Sequence, residues 1–202
     1  MLILASASPR RQEILRNANI PFRVEATNVV EQPLPGEDPK QMVERLAREK
    51  ALAAAQRHPE QWVLGADTTV VIDEHILEKP RDADDAARML RLLSARTHEV
   101  ITGVCLAAPS SGLNAAASGN TKLAPGLVDI RSETTSVVMG PISEEEIRSY
   151  VATGEPMDKA GAYAIQGIAS RWISRIEGDY FNVVGLPIAL VYRMLREHGA
   201  VE

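Results

Sequence analysis

The start of the chain constrains the fold most, because it joins a strand pattern directly to a helix pattern. Residues 2–5 form a short apolar run, which is typical of a buried strand. Ser8 is a good N-cap, and Pro9 suits the first helical position, where a missing backbone N–H costs nothing. Arg10 and Arg11 then fall in the first turn of the helix. The chain therefore opens with a strand, a turn and a helix.

The two arginines lie where the helix dipole is unfavourable for cations, since the N-terminal end of a helix carries partial positive charge. A bound anion would remove this conflict. Backbone N–H groups, the hydroxyls of Ser6 and Ser8 and the guanidinium groups of Arg10 and Arg11 would then converge on a phosphate. The alternative is an ordinary strand–turn–helix with two solvated arginines, and local physics leaves both interpretations open.

Length and charge exclude several classes of protein. The 202 residues suit one domain, 1–202, either simple or with two lobes around a cleft. A net charge of −5 without a long basic run, and 4% aromatic residues, offer no broad surface for nucleic acid. No stretch reaches the roughly 18 apolar residues of a membrane span, and the first apolar run is too short for a signal peptide. We therefore expect a soluble cytoplasmic protein that binds neither nucleic acid nor membranes.

Cysteine and histidine usage argues against a metal centre built from those residues. Cys105 is the single cysteine and lies in an apolar run, so we expect a core residue rather than a disulfide or a zinc ligand. No two histidines have metal-ligand spacing, and His98, beside a strand, is expected to be structural. The sequence leaves the oligomeric state open, with a homodimer among the options.

A second helix is predicted from Asp38, its N-cap, to about Gln56, with Pro39 at the first helical position. Its apolar residues share one face: Val43, Leu46, Ala47, Ala51 and Ala54. Lys50 lies beside that face. Its stem could cover apolar surface while the ammonium stays in water, or the side chain could point along the helix into a site.

Asp67 follows a buried-strand pattern, 62–66, and precedes a second apolar run that begins at Val70. A carboxylate between apolar runs is costly to bury without a partner. It is either a hydrogen-bonded turn residue or, as we favour, an acid at the end of a core strand, where α/β sheets place ligands. The small Gly65 and Ala66 would allow another group to approach closely.

A hairpin turn is predicted at residues 73–75, and the chain then returns to Lys79, which is held in extended geometry by Pro80. The hairpin would carry Lys79 back towards Asp67. The two residues could form a plain surface pair or could bracket a phosphate.

Two long strands are predicted at 97–107 and 128–139, and the connection between them, 108–126, is expected to be long and mobile because it lacks large apolar groups. A capping box at Ser143 predicts a further helix, and residues 178–187 predict a turn into the last helix.

Residues 154–167 break helical and strand periodicity and are rich in small residues. Gln166 lies between Ile165 and Gly167. An amide both donates and accepts hydrogen bonds, and glycine lets a ligand come close, so this segment is suited to reading the edge of a nucleotide base. A flexible loop is the alternative.

These stretches, in this order, resemble the Maf family of nucleotide pyrophosphatases. The resemblance covers nearly the whole chain and rests on seven motifs in register: ASASPRR (5–11), LAREKA (46–51), LGADTTV (64–70), EKPRD (78–82), THEVITGV (97–104), EPMDKAGAYAIQG (155–167) and EGDYFNVVGLP (177–187). It implies an α/β fold with a strongly twisted mixed sheet flanked by helices and two lobes around a cleft, similar to inosine triphosphate pyrophosphatases.

The resemblance also implies an activity: hydrolysis of nucleoside triphosphates to the monophosphate and pyrophosphate with a divalent cation, Mg²⁺ or Mn²⁺. The YAIQG sequence at 163–167 is similar to the branch that acts on dTTP and UTP, whereas the 7-methyl-GTP branch usually has a Ser-Glu type sequence there. The resemblance implies that Asp67 is the general base and that Glu31 and Asp67 are metal ligands. Lys50 and Lys79 would be catalytic cations, and they would hold the phosphates together with Ser8 and Arg11. The specificity positions would be Arg10, Thr68 and Gln166.

Two departures from the family pattern stand out. Many members carry a Glu-Glu pair before Gln, whereas this chain has Val30-Glu31-Gln32, so of that pair only Glu31 is left to act as a metal ligand or to assist the base. The 108–126 connection is also longer than expected. Two other functions share parts of the pattern. A regulator of cell division could bind triphosphates with little turnover, and a 7-methyl-GTP, inosine or xanthosine triphosphate pyrophosphatase would share the reaction.

Overall fold

A computed structural model of the protein describes residues 1–110 and 128–201. Within these residues the strands are β1 (Leu2–Leu4), β2 (Phe22–Val24), β3 (Trp62–Ile72), β4 (His75–Leu77), β5 (Thr97–Ala107), β6 (Val128–Met139) and β7 (Ile173–Glu177). The helices are α1 (Pro9–Asn17), α2 (Pro39–Ala55), α3 (Ala83–Leu93), α4 (Glu144–Ala152), α5 (Tyr180–Val184) and α6 (Ile188–Glu197). Short 3₁₀ helices cover Glu155–Asp158, Ala160–Ala162 and Ile168–Trp172.

The strands form one seven-stranded sheet in the order β2-β1-β3-β5-β6-β7, with β4 paired to β3. β1 runs parallel to β2 and to β3, whereas the β3–β4 and β6–β7 pairs are antiparallel. The sheet is therefore mixed and helices flank it, which confirms the predicted α/β class.

The chain divides into two compact units. The first comprises Met1–Asp67, Gly103–Ser132 and Gly185–Glu202, and the second comprises Thr68–Thr102 and Glu133–Val184. The boundaries fall inside β3, β5 and β6, so each of these strands contributes residues to both units. The expectation of a single domain over 1–202 stays a prediction.

In the first unit, α2 lies directly against the backbone of β3 and β5. A Cβ on Gly65 would lie 2.2 Å from the carbonyl oxygen of Ala47, and a Cβ on Gly103 would lie 2.4 Å from that of Val43. The apolar face of α2 is buried as predicted, and the Asp38 side chain caps the helix by accepting from two backbone N–H groups. The sequence predicted that some group approaches closely at Gly65 and Ala66, and at Gly65 that group is the backbone of α2.

In the second unit, β3 and β4 form the predicted hairpin, which pairs Val70 with Leu77 and Ile72 with His75. The turn residues Asp73 and Glu74 both have positive φ, which suits a tight two-residue turn. The capping box at Ser143 is present at the start of α4.

Two expectations about elements were wrong. β3 does not end at Asp67 but continues to Ile72, so the carboxylate lies in the middle of a strand. The 178–187 stretch holds a short helix, α5, besides its turns. Half of the 154–167 stretch, for which a flexible loop was the alternative, is 3₁₀ helix, at Glu155–Asp158 and Ala160–Ala162. Most of the predicted 108–126 connection lies outside the described residues.

Candidate active site

Lys50 brings two predicted site residues together in the first unit. Its ammonium donates to Asp67 Oδ1 at 2.7 Å and also contacts Glu31 Oε1. The Lys50 and Asp67 side chains are 8% and 11% exposed, whereas that of Glu31 is 40% exposed. The lysine therefore points into a site instead of covering apolar surface, and it compensates the burial of Asp67 in mid-strand.

Arg45 holds the loop between β2 and α2, which carries Glu31. Its guanidinium donates to both carboxylate oxygens of Glu37, at 2.6 and 2.7 Å, and to the backbone oxygen of Gln32 at 3.0 Å. The hydrogen bonds from Arg45 lower the pKa of Glu37, so both partners stay charged. Because Gln32 follows Glu31 in the chain, this contact holds the loop next to Lys50. Sequence reasoning missed Arg45, because its partners Glu37 and Gln32 lie 8 and 13 residues away and no local pattern links them to it.

Arg11 is buried among backbone carbonyls and is not a solvated cation. Nε donates to Gly185 O at 2.7 Å, and Nη1 donates to Ala66 O at 2.9 Å and to Ser6 Oγ at 3.1 Å. Burial lowers the pKa of Arg11, while the nearby charge of Asp67 acts in the opposite direction. At least three of its five N–H donors are therefore occupied by protein acceptors that surround the start of α1 and the residue before Asp67.

Ser8 and Arg10 occupy the predicted start of α1. Ser8 is the N-cap residue by position, but its side chain makes no capping hydrogen bond within the described residues. Its backbone N–H donates instead to Ser6 Oγ at 3.3 Å. Arg10 is partly exposed, in contrast to the buried Arg11. The two arginines thus differ in burial, and the sequence alone does not reveal this difference because their side chains are identical.

Thr68 begins a hydrogen-bonded network in the second unit. Its Oγ1 lies 2.9 Å from Thr102 Oγ1, and Thr102 donates its hydroxyl proton to the backbone oxygen of Asn182 at 3.1 Å. The side-chain amide of Asn182, which is fully buried, donates to Val100 O and to Thr135 Oγ1. Since the Thr102 proton is committed, Thr68 must be the donor in the bond between the hydroxyls. Its oxygen is then an acceptor in any further hydrogen bond.

Lys79 and Gln166 also belong to the second unit, and both are exposed. The hairpin and the 155–167 segment meet there, because the Gly161 N–H donates to Glu78 O at 3.2 Å and a Cβ on Gly161 would touch Val70. His98 is a buried structural residue, as expected, and Cys105 is fully buried in the core of the first unit.

The carboxylates of Glu31 and Asp67 fit a divalent cation. Among the described residues no group of three or more His, Cys, Asp or Glu side chains could hold a metal ion. Mg²⁺, however, is commonly bound through one or two carboxylates and completes its shell with water and substrate phosphates. Two carboxylates that contact the same ammonium meet that requirement. No helix in the described ranges has the length and apolar character needed to cross a membrane.

Comparison with known proteins gives a consistent result. The family described as Maf-like protein matches residues 1–198. A dTTP/UTP pyrophosphatase of Koribacter versatilis (strain Ellin345) is 57% identical over 200 residues, which is 99% of this chain and 95% of that protein. A dTTP/UTP pyrophosphatase of Geobacter metallireducens is 48% identical over 200 residues, 99% of this chain and 97% of that protein. One of Geobacillus sp. (strain WCH70) is 46% identical over 198 residues, 98% of each chain. The chain belongs to the family of Maf-like proteins.

Proposed function

We propose that this chain hydrolyses nucleoside triphosphates, with dTTP and UTP preferred, to the monophosphate and pyrophosphate, and so removes unwanted nucleotides from the cellular pool. The observation that carries the proposal is the buried Lys50 ammonium shared by Asp67 and Glu31. Relatives at 46–57% identity, each named dTTP/UTP pyrophosphatase, support the substrate class.

The reaction needs a positioned water and neutralised phosphate charge. Water attacks the α-phosphorus, the bond from that phosphorus to the bridging oxygen breaks, and pyrophosphate leaves. Asp67 takes the proton of the attacking water. Because Lys50 occupies Oδ1 of Asp67, we assign the proton to Oδ2.

A divalent cation would be held by Glu31 and Asp67. When bound, it would neutralise phosphate charge, as Mg²⁺ does in other phosphoryl-transfer sites. Lys50 keeps both carboxylates in place and adds positive charge beside them.

The phosphates would be held by Ser8, Arg10, Lys50 and Lys79. Arg11, in contrast, is assigned mainly to the framework, because it is buried and donates to Ala66 O, Gly185 O and Ser6 Oγ. It is a positioning residue for α1 and for the strand that carries Asp67.

Pyrimidine selection is assigned to Thr68 and Gln166, with Arg10 as a further specificity position. Thymine and uracil carry a hydrogen-bond donor at N3, where cytosine has an acceptor. The Thr68 oxygen accepts, since its proton goes to Thr102. The Gln166 amide can both accept and donate, so it suits the N3–H and O4 pair of the same bases.

A substrate panel tests the proposal. Ordinary and modified triphosphates are incubated with the full chain and Mg²⁺ or Mn²⁺, and pyrophosphate and orthophosphate are measured separately. We expect pyrophosphate from dTTP and UTP, loss of turnover with chelator, and loss of turnover in Asp67→Asn. Tight triphosphate binding without turnover would overturn the enzymatic assignment in favour of a nucleotide-binding regulator, and preference for 7-methyl-GTP or inosine triphosphate would overturn the substrate.

A further inference from the structure

The Glu155 carboxylate lies against the segment that carries Gln166. It accepts from the Ile168 N–H, with Oε1 at 3.1 Å and Oε2 at 3.4 Å. Ile168 begins the 3₁₀ helix directly after the Gln166-Gly167 pair. Glu155 therefore fixes the main chain two residues beyond the Gln166 amide.

Gly167 allows this contact. A Cβ at residue 167 would lie 2.1 Å from Glu155 Oε1 and 2.6 Å from its carboxyl carbon. The backbone of Gly167, with φ −101° and ψ −153°, is extended and does not itself demand glycine. The close approach of the carboxylate is thus the physical reason for a glycine after Gln166.

Glu155 is in turn held by Tyr150 on α4. The Tyr150 hydroxyl donates to Glu155 Oε1 at 2.9 Å. Burial, followed by the bond to Glu155, raises the pKa of Tyr150, so the phenol stays protonated and keeps donating. The Tyr150 ring packs edge-on against Trp172, with centroids 5.3 Å apart. The carboxylate therefore links the Gln166 segment to a buried aromatic pair.

The other end of the segment is fastened at Tyr163, three residues before Gln166. Its hydroxyl shares a hydrogen bond of 2.7 Å with His98 Nε2, and the two rings pack edge-on at 5.4 Å. Both side chains are at least 95% buried. The exposed Gln166 is consequently carried on a short span between the buried Tyr163 and the half-buried Glu155.

We propose that Glu155 is a positioning residue for substrate choice, and that it holds the Gln166 side-chain amide in the position required for hydrogen bonds to the base. This inference rests on the proposed function, because it assumes that Gln166 reads the base. Glu155 acts through the Ile168 N–H and its contact with Gly167, without touching the substrate itself.

Selectivity and phosphate binding are the two readouts of the test. In Glu155→Ala we expect the kcat/KM ratio of dTTP over CTP to fall about tenfold, the size of one lost hydrogen bond. Inhibition by inorganic tripolyphosphate, which has no base, should change less than about twofold. Glu155→Gln keeps an acceptor of the same shape and should restore most of the selectivity.

A double-mutant cycle gives the sharper test. Gly167→Ala alone should also lower selectivity, because its Cβ displaces the carboxylate. In Glu155→Ala the atom that clashes is gone, so adding Gly167→Ala should cost little more. If the loss of selectivity in the double variant equals the product of the losses in the two single variants, the residues act independently and the proposal is wrong. Wild-type selectivity in a folded Glu155→Ala would also overturn it.

Failure of this inference can be told apart from failure of the proposed function. If Gln166→Glu leaves the preference among dTTP, UTP, CTP and GTP unchanged, the base-reading role itself is wrong. Hydrogen exchange of the Ile168 amide then tests the hydrogen bond to Glu155 independently of any activity measurement. Faster exchange in Glu155→Ala than in wild type supports that hydrogen bond, and equal exchange refutes it.

Discussion

Replacing Arg11 by Met should destabilise the protein far more than the same change at Arg10. Met keeps the apolar volume of the stem and removes the guanidinium. The carbonyls of Ala66 and Gly185 and the hydroxyl of Ser6 then lose their donor. Arg10 is partly exposed and is the matched control, since it is the same residue type on the same helical turn.

The magnitude follows from the three bonds. A hydrogen bond from a charged donor contributes about 1.5 kcal/mol or more, so three bonds contribute about 4–5 kcal/mol. Because burial disfavours the charged guanidinium, its removal offsets part of this loss. We therefore expect the free energy of unfolding to fall by about 3 kcal/mol, which corresponds to a decrease in Tm of about 6–12 °C.

Equilibrium unfolding in urea measures the effect, provided that different probes give coincident transitions. Arg10→Met should lose less than about 1 kcal/mol but should raise KM for dTTP. Equal stability of Arg11→Met and wild type would refute the framework role and would return Arg11 to direct phosphate binding.

Three further predictions concern chemistry, base choice and pH. Asp67→Asn should lower kcat for pyrophosphate release from dTTP by about 10²–10⁴, the scale of a lost general base, and near-normal turnover would exclude that role. Thr68→Val should lower the selectivity for dTTP over CTP, whereas Thr68→Ser should keep it, because only serine preserves the acceptor; steady-state kinetics with both substrates decides. Burial lowers the pKa of His98 from 6.5 to about 4, so its contribution to stability is complete above pH 6.5 and is lost, by about 3 kcal/mol, as the pH falls towards 4. Unfolding at stepped pH should show this slope in wild type and a shallower one in His98→Phe, and equal slopes would contradict it.

Much of the fold was predictable because its signals are local. The bounds of β5 and β6 and the capped start of α2 follow from runs of apolar or β-branched residues and from N-cap chemistry within a few positions. The motif residues around Lys50 and Asp67 were likewise recognisable in order along the chain.

What could not be predicted depends on partners distant in sequence. Asp67 remains inside a strand because Lys50, from another element, compensates its charge. Arg11 is buried because it reaches Ala66 and Gly185, which lie 55 and 174 residues away. A local pattern has no access to such contacts, so it placed the carboxylate at a strand end and left Arg11 open between a phosphate ligand and a solvated cation.

The contact of α2 with β3 makes the distance between the lysine and its acid depend on one backbone approach. Gly65 meets the helix backbone between Ala47 and Ala51, so no layer of large side chains separates Lys50 from the strand that carries Asp67. Any side chain at position 65 would force the helix away from the strand and would separate the lysine from its acid.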